Sequence, residues 1–309
     1  MNFQIVLNQV IILFIILVIG FVAGKTGIIA DGASKKLSEL LLYVTSPFMV
    51  LGSFFFEYSA DKMKNALLVF LFASGFYLLC IFLSTILYKN FDSNVKPILR
   101  FTAVFSNCGF MGLPMMKALF GDEGVFLGSF HVGAFNLFIW TFGLTMFSGN
   151  KFKGKENIRG SLKNAFLNPA LISLYVGVFI FVFQIPIPGP VQQAVKYVGD
   201  MTLPLSMLII GALISTAKVR TLLSDFRVYY AAAVRLVFLP LVAYGILSLI
   251  GAPKVVTAIV VTAAAMPCAA NTSIFAEMFD KDSVFASKAV TLSTILSIFT
   301  APLIIALLG

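Results

Sequence analysis

Phe105-Ser106-Asn107-Cys108-Gly109-Phe110-Met111-Gly112-Leu113-Pro114 lies inside an apolar run that extends from about residue 97 to 119. A run of that length can cross a bilayer as a helix, which takes about 20 residues. Gly and Pro nevertheless break it near its middle. In hydrocarbon the freed backbone groups must be satisfied by protein, water or a ligand. A second stretch, Ala265-Met266-Pro267-Cys268-Ala269-Ala270-Asn271-Thr272-Ser273, interrupts a run from about 254 to 279 in the same way. Two broken apolar runs, each with an Asn beside small residues, set the expectation for the whole chain.

Reading outward from these two, eight more apolar runs appear. The ten are approximately 5–24, 37–56, 66–88, 97–119, 124–148, 167–185, 194–216, 228–250, 254–279 and 285–308. The fold class is therefore an all-α polytopic membrane protein of ten transmembrane helices. The first run lacks a basic leader and a small-residue cleavage pattern, so it reads as an uncleaved span. Composition agrees: 60% of the 309 residues are hydrophobic and 11% charged, with a mean hydropathy of +1.00. Soluble domains carry roughly 25% charged residues.

The net charge of +9 sits in the short gaps between runs. That is the pattern of loop charges rather than of nucleic-acid binding, which interleaves aromatic and basic residues. Sixteen Lys and Arg fall after runs 1, 3, 5, 7 and 9, against five on the other side. The positive-inside rule then puts both termini outside the cytoplasm. The most basic gap, 149–166, carries Lys151, Lys153, Lys155, Arg159 and Lys163. It divides the chain into 1–148 and 167–309, five runs each. An odd number of spans per half makes related halves opposite in topology.

A weak internal repeat fits this. Tyr43-Val-Thr-Ser-Pro47-Phe-Met-Val-Leu-Gly52 resembles Asp200-Met-Thr-Leu-Pro204-Leu-Ser-Met-Leu-Ile-Ile-Gly211, and Phe120-Gly-Asp-Glu-Gly-Val-Phe126 resembles Phe279-Asp-Lys-Asp-Ser-Val-Phe285. The offsets are 157 and 159 residues, in the same order. Inverted repeats with paired broken helices point to a secondary transporter whose site lies between the breaks. A half-helix N-terminus there attracts an anion through its free N–H groups and positive dipole end.

The candidate substrate-binding residues are Asn107, Cys108, Gly109, Gly112 and Pro114 in run 4 and Pro267, Cys268, Asn271 and Thr272 in run 9. Asn107 and Asn271 offer amide donors and acceptors without the cost of a buried charge. Asn136 in run 5 faces the interior, either lining the site or bonding between helices. Candidates for coupling or gating are His131, Glu277, Pro47 and Pro204. A single His near a span end is more often a satisfied interfacial residue than a proton carrier, and Glu277 lies near a solvated end. The prolines read as kinks. Arg235, one to two turns into run 8, reads as an anchor that snorkels to the surface. Runs 3 and 6 carry no charged residue in their interiors, which limits coupling through buried carboxylates. Cys80, Cys108 and Cys268 lie inside apolar runs and read as packing residues. No metal, cofactor or catalytic pair is suggested. An anion channel or a membrane receptor on the same fold is the alternative reading.

These motifs resemble the auxin efflux carrier family of plant and bacterial transporters, which belongs to the bile acid/sodium symporter-like fold superfamily. Asn107-Cys-Gly-Phe-Met-Gly-Leu-Pro114 is similar to the plant carriers' Asn-Thr-Leu-Val-Met-Gly-Ile-Pro. Met266-Pro267 followed by Phe275-Ala276-Glu277 resembles their ninth-helix segment. Asn136, four residues before Trp140, stands where the family has a Gln before Ile-Ile-Trp. The resemblance covers essentially the whole chain. It implies two inverted five-helix repeats, crossing of helices 4 and 9 at the substrate site, elevator-type alternating access and a homodimer. It also implies Asn107 and the backbone around Pro267 as substrate contacts, with Asn136 in support. Departures are Ser106 where the plant carriers have Pro, a third span without their Asp/Lys pair, and a short central loop. The substrate expected is a small organic anion, a carboxylate such as malate or malonate or an auxin-like weak acid, carried across a bacterial inner membrane.

Overall fold

The structure, a computed structural model, describes residues 3–148, 167–216 and 225–308. The basic midpoint loop, and Lys218 and Arg220 of the basic loop set, lie outside those residues.

The chain is helical through most of the described regions. A long apolar segment can hide its own N–H and C=O groups only by bonding them within itself, and the helix does so completely. In order, the helices are α1 (Phe3–Lys25), α2 (Asp31–Leu40), α3 (Ser46–Gly52), α4 (Ala60–Leu87), α5 (Lys96–Val104), α6 (Leu113–Phe138) and α7 (Leu144–Ser148). After the undescribed loop come α8 (Pro169–Phe183), α9 (Gly189–Asp200), α10 (Thr202–Thr216), α11 (Phe226–Ala233), α12 (Leu239–Leu249), α13 (Lys254–Ala264), α14 (Asn271–Met278) and α15 (Ser283–Ala306). Among the described residues, five stretches are long and apolar enough to cross a membrane: Ala60–Leu87, Cys108–Phe147, Gly189–Ser215, Phe226–Leu249 and Ser283–Ala306. Three shorter apolar helices accompany them. The protein is a multi-pass membrane protein. Helix α4 shows why: Ala66, Val69, Ala73, Tyr77, Cys80 and Ser84 are buried, while Leu67, Leu71, Leu78, Phe82 and Ile86 are exposed. Both faces are apolar, so the exposed one suits lipid.

Four π turns interrupt the described helices: Leu41–Thr45, Cys108–Gly112, Ile139–Gly143 and Val234–Phe238. Three of them end two residues before a proline, at Pro47, Pro114 and Pro240. The cause is local: proline has no N–H to give and its ring crowds the carbonyl four residues back, so the preceding turn widens. Pro47 thus acts as the bend the sequence suggests. Pro204 does not resemble it in setting, since it stands exposed in the first turn of α10 with no π turn before it. Helix α6 is itself broken at Gly121, whose φ of 64° only glycine adopts without strain.

The helices sort into two groups. In one, α1 runs along α10, and α3 packs on α8 and α9. In the other, α4, α5, α6 and α13 pack together, with α15 against α11 and α14. The α1–α10 contact is backbone to backbone. A Cβ on Gly211 would lie 2.0 Å from the Leu17 carbonyl oxygen, and one on Gly20 2.3 Å from that of Leu208. Gly20-x-x-x-Gly24 is the small-residue spacing that lets membrane helices approach this closely. In the first group an aromatic seam of Phe54, Phe56 and Phe181 closes on Phe126 of α6 with edge-on rings.

Candidate functional site

The two breaks read from the sequence meet. Helix α5 ends at Val104 and α13 at Ala264, and the last turns of both half-helices are buried. Beyond them the chain is extended for a few residues, and Ser106 and Cys268 pair as an antiparallel bridge. The Asn107 N–H donates to the Pro267 carbonyl at 2.7 Å, and the Ala269 N–H donates to the Phe105 carbonyl at 2.9 Å. Each break thus satisfies the backbone groups the other one frees, which is what a helix interruption away from water requires. The Asn107 carbonyl then accepts from the N–H groups of Met111 and Gly112, both at 3.1 Å, and restarts the helix. On the other side the Thr272 hydroxyl donates to the Ala269 carbonyl at 2.6 Å, and the Cys268 N–H donates to Ser293 Oγ of α15 at 3.2 Å.

The model of the membrane transport protein family matches residues 5–305. The chain belongs to that family. An uncharacterized transporter of Methanothermobacter thermautotrophicus is 24% identical over 305 residues, 96% of each chain. An uncharacterized transporter of Methanocaldococcus jannaschii is 23% identical over 319 residues, 98% of this chain and 97% of the relative. The resemblance to auxin efflux carriers is of the same kind and the same extent.

The sequence-derived residues of this transporter separate into those at the crossing and those away from it. Asn107 and Asn271 are half-buried at the starts of the second half-helices, and their side-chain amides make no hydrogen bond among the described residues. Both are therefore available to a ligand. Pro114 is buried in the first turn of α6. Gly109 faces open space, whereas a Cβ on Gly112 would touch Cys108 and Met266 at 3.4–3.5 Å. Cys108 and Cys268 are buried free thiols. Asn136 is buried and donates to the Val132 carbonyl of its own helix at 2.9 Å. Glu277 is exposed in the last turn of α14, away from any ion pair among the described residues. A cavity of about 40 Å³ adjoins the crossing, between α1, α10 and α15, walled by Met111, Met115, Met207 and Met266 with Ser297 as a polar edge. It holds a water-sized group or two.

Three features escaped the sequence reading. Arg235 does not snorkel: it is 0% exposed. The π turn Val234–Phe238 carries it, and its guanidinium reaches into the crossing. Nη1 donates to the Ala103 carbonyl at 2.8 Å, Nε to the Met266 carbonyl at 3.3 Å, and Nη2 to the Ala264 carbonyl. These carbonyls are the orphan acceptors at the ends of α5 and α13. An uncompensated cation in an apolar interior would cost several kcal/mol, and three charge-assisted bonds to helix C-termini offset that cost. The available signal was its position as a charged residue within an apolar run, which marks a functional residue by default. Second, Tyr77 of α4 shares a 3.0 Å hydrogen bond with His131 Nε2 and lies 4.0 Å from the Cys108 thiol. His131 is 1% exposed rather than interfacial, and its Nδ1 has no partner. Third, Ser293 ties α15 to the second break. At one end of the bundle, a cavity of about 340 Å³ carries Lys117, Lys196, Asp122, Asp200 and Gln192. Lys117 of α6 pairs there with Asp122 and, at 3.5 Å, with Asp200 of α9, an ion pair between the two helix groups.

Proposed function

We propose that the chain is a secondary transporter of a small organic anion, a carboxylate such as malate or malonate or an auxin-like weak acid, bound at the crossing of its two broken helices. The observation that carries this is the antiparallel crossing itself, with free amides on Asn107 and Asn271 beside a buried cation. Asn107, Cys108, Gly109, Gly112 and Pro114 form one side of the site and Pro267, Cys268, Asn271 and Thr272 the other. Asn136 supports it. His131 is the candidate for coupling, with Pro47 and Pro204 as hinge points; Glu277, exposed at a helix end, is the weakest of the gating candidates.

In this reading the chain crosses the cell membrane ten times, as two inverted five-helix repeats, 1–148 and 167–309, with both termini outside. The antiparallel sense of the Ser106–Cys268 pairing is what inverted halves require. The helix group of α1, α2–α3 and α8–α10 is the fixed scaffold, in which a homodimer forms. The other group carries the crossing and slides against it as an elevator. Efflux of an anion from a negative-inside cell is already favoured by about 2.3 kcal/mol per charge per 100 mV, so no coupling ion is required.

The test is uptake of labelled malate and malonate into proteoliposomes under imposed pH, sodium and potential gradients. Saturable flux that responds to a gradient supports the reading. Unitary currents without saturation indicate a channel, and absence of flux and binding for all carboxylates removes the anion assignment.

A further inference from the structure

The Arg235 guanidinium donates to three main-chain carbonyls, one at the end of α5 and two at the end of α13. Beyond the Ser106–Cys268 bridge itself, it is the single side chain that holds both half-helices at once among the described hydrogen bonds. We propose that Arg235 is the positioning residue of the crossing and the source of its preference for anions over neutral molecules. This rests on the anion-transport reading given above.

The crossing gathers two helix C-terminal ends, each worth about half a negative charge, and the two N-terminal ends that begin at Cys108 and Asn271, each worth about half a positive charge. Those four nearly cancel. Arginine keeps its proton in proteins, and no Asp or Glu pairs with Arg235 among the described residues. The guanidinium therefore covers the negative ends and leaves the positive ends, with the amides of Asn107 and Asn271, facing a ligand. Burial keeps that field unscreened by salt. Among the described cations Arg235 alone is fully buried; Arg100, also in α5, is half-buried and donates to Ser84 Oγ at 3.3 Å rather than to the carbonyls of the crossing.

The experiment uses the full chain in detergent and two variants. Arg235→Lys keeps the charge with fewer donors. Arg235→Gln keeps a donor and loses the charge. Amide exchange is followed over peptides covering Asn107 and Ala269, whose N–H groups close the crossing, with a peptide from α8 as control. Thermal stabilisation by malonate is compared with that by malonamide, its neutral counterpart. Exchange at Asn107 and Ala269 is expected to rise about tenfold or more in Arg235→Gln and less in Arg235→Lys, with α8 unchanged. The preference for malonate over malonamide is expected to survive in Arg235→Lys and vanish in Arg235→Gln. Wild-type exchange in Arg235→Gln overturns the positioning role. A wild-type malonate preference in Arg235→Gln overturns the charge role. Absence of any malonate effect on the wild type overturns the anion reading and the charge role with it, and the exchange result still decides whether Arg235 holds the crossing.

Discussion

Substituting Tyr77 by Phe removes one oxygen from the most densely packed face of α4. The rings of Phe105 and Phe138 stack on Tyr77, so the phenyl group keeps its packing. What is lost is the 3.0 Å hydrogen bond to His131 Nε2. His131 already has an unpartnered Nδ1, so the variant leaves a buried imidazole with neither nitrogen bonded. Stranding a buried polar group costs about 1–3 kcal/mol. In a His131→Leu background the same change removes a hydroxyl left with only its 4.0 Å contact to the Cys108 thiol, and its cost falls toward zero. The two substitutions are therefore coupled by about 1–3 kcal/mol, well above the roughly 0.3–0.5 kcal/mol scatter of independent sites. Reversible unfolding of the wild type, both single variants and the double variant in mixed micelles measures the cycle. Equal costs of Tyr77→Phe in both backgrounds would refute the pairing of Tyr77 with His131.

Other expectations follow from single contacts. Gly211→Leu drives a side chain into the Leu17–Phe21 backbone and separates α1 from α10; folded yield after purification should fall sharply, while Gly75→Ala, where nothing lies within 4 Å, should be silent. Ser293→Ala strands the Cys268 N–H and should cost about 1–3 kcal/mol in the same unfolding assay, with exchange at Cys268 rising first. The Arg227 guanidinium beside Asp225 holds that carboxyl below the usual carboxylate range. A lowered folded-state value means stability present above the ordinary range and lost as pH falls through the depressed one. The pair is half exposed, so acidification should remove no more than about 1 kcal/mol, and Asp225→Asn should remove the pH dependence.

How much of this could be read from the chain alone differs by element. The breaks at Asn107 and Pro267 were legible because Gly, Pro and Asn stand out in apolar runs. Their pairing was not, since Ser106 and Cys268 are 162 residues apart and nothing local joins them. Arg235 was visible as a charge but misread in direction. Whether an Arg snorkels or turns inward depends on the rotational phase of its helix, and the π turn before Pro240 sets that phase. Tyr77 was overlooked because a Tyr in an apolar run reads as packing. The Gly20–Gly24 spacing was present in the sequence, but its partner Gly211 lies in another helix. Asn136 is buried, and its hydrogen bond runs to its own helix rather than across to another.

The most direct test of the crossing as the functional site is malonate uptake by proteoliposomes containing Asn107→Ala, beside Glu123→Gln at an exposed position of α6. Asn107 bonds no other side chain among the described residues, so its loss should leave folding intact. Uptake should fall by about tenfold or more in Asn107→Ala, the effect of about 1.4 kcal/mol of lost ligand contact, and stay at wild-type level in Glu123→Gln. Wild-type uptake by a folded Asn107→Ala protein would contradict the assignment of the site to the crossing.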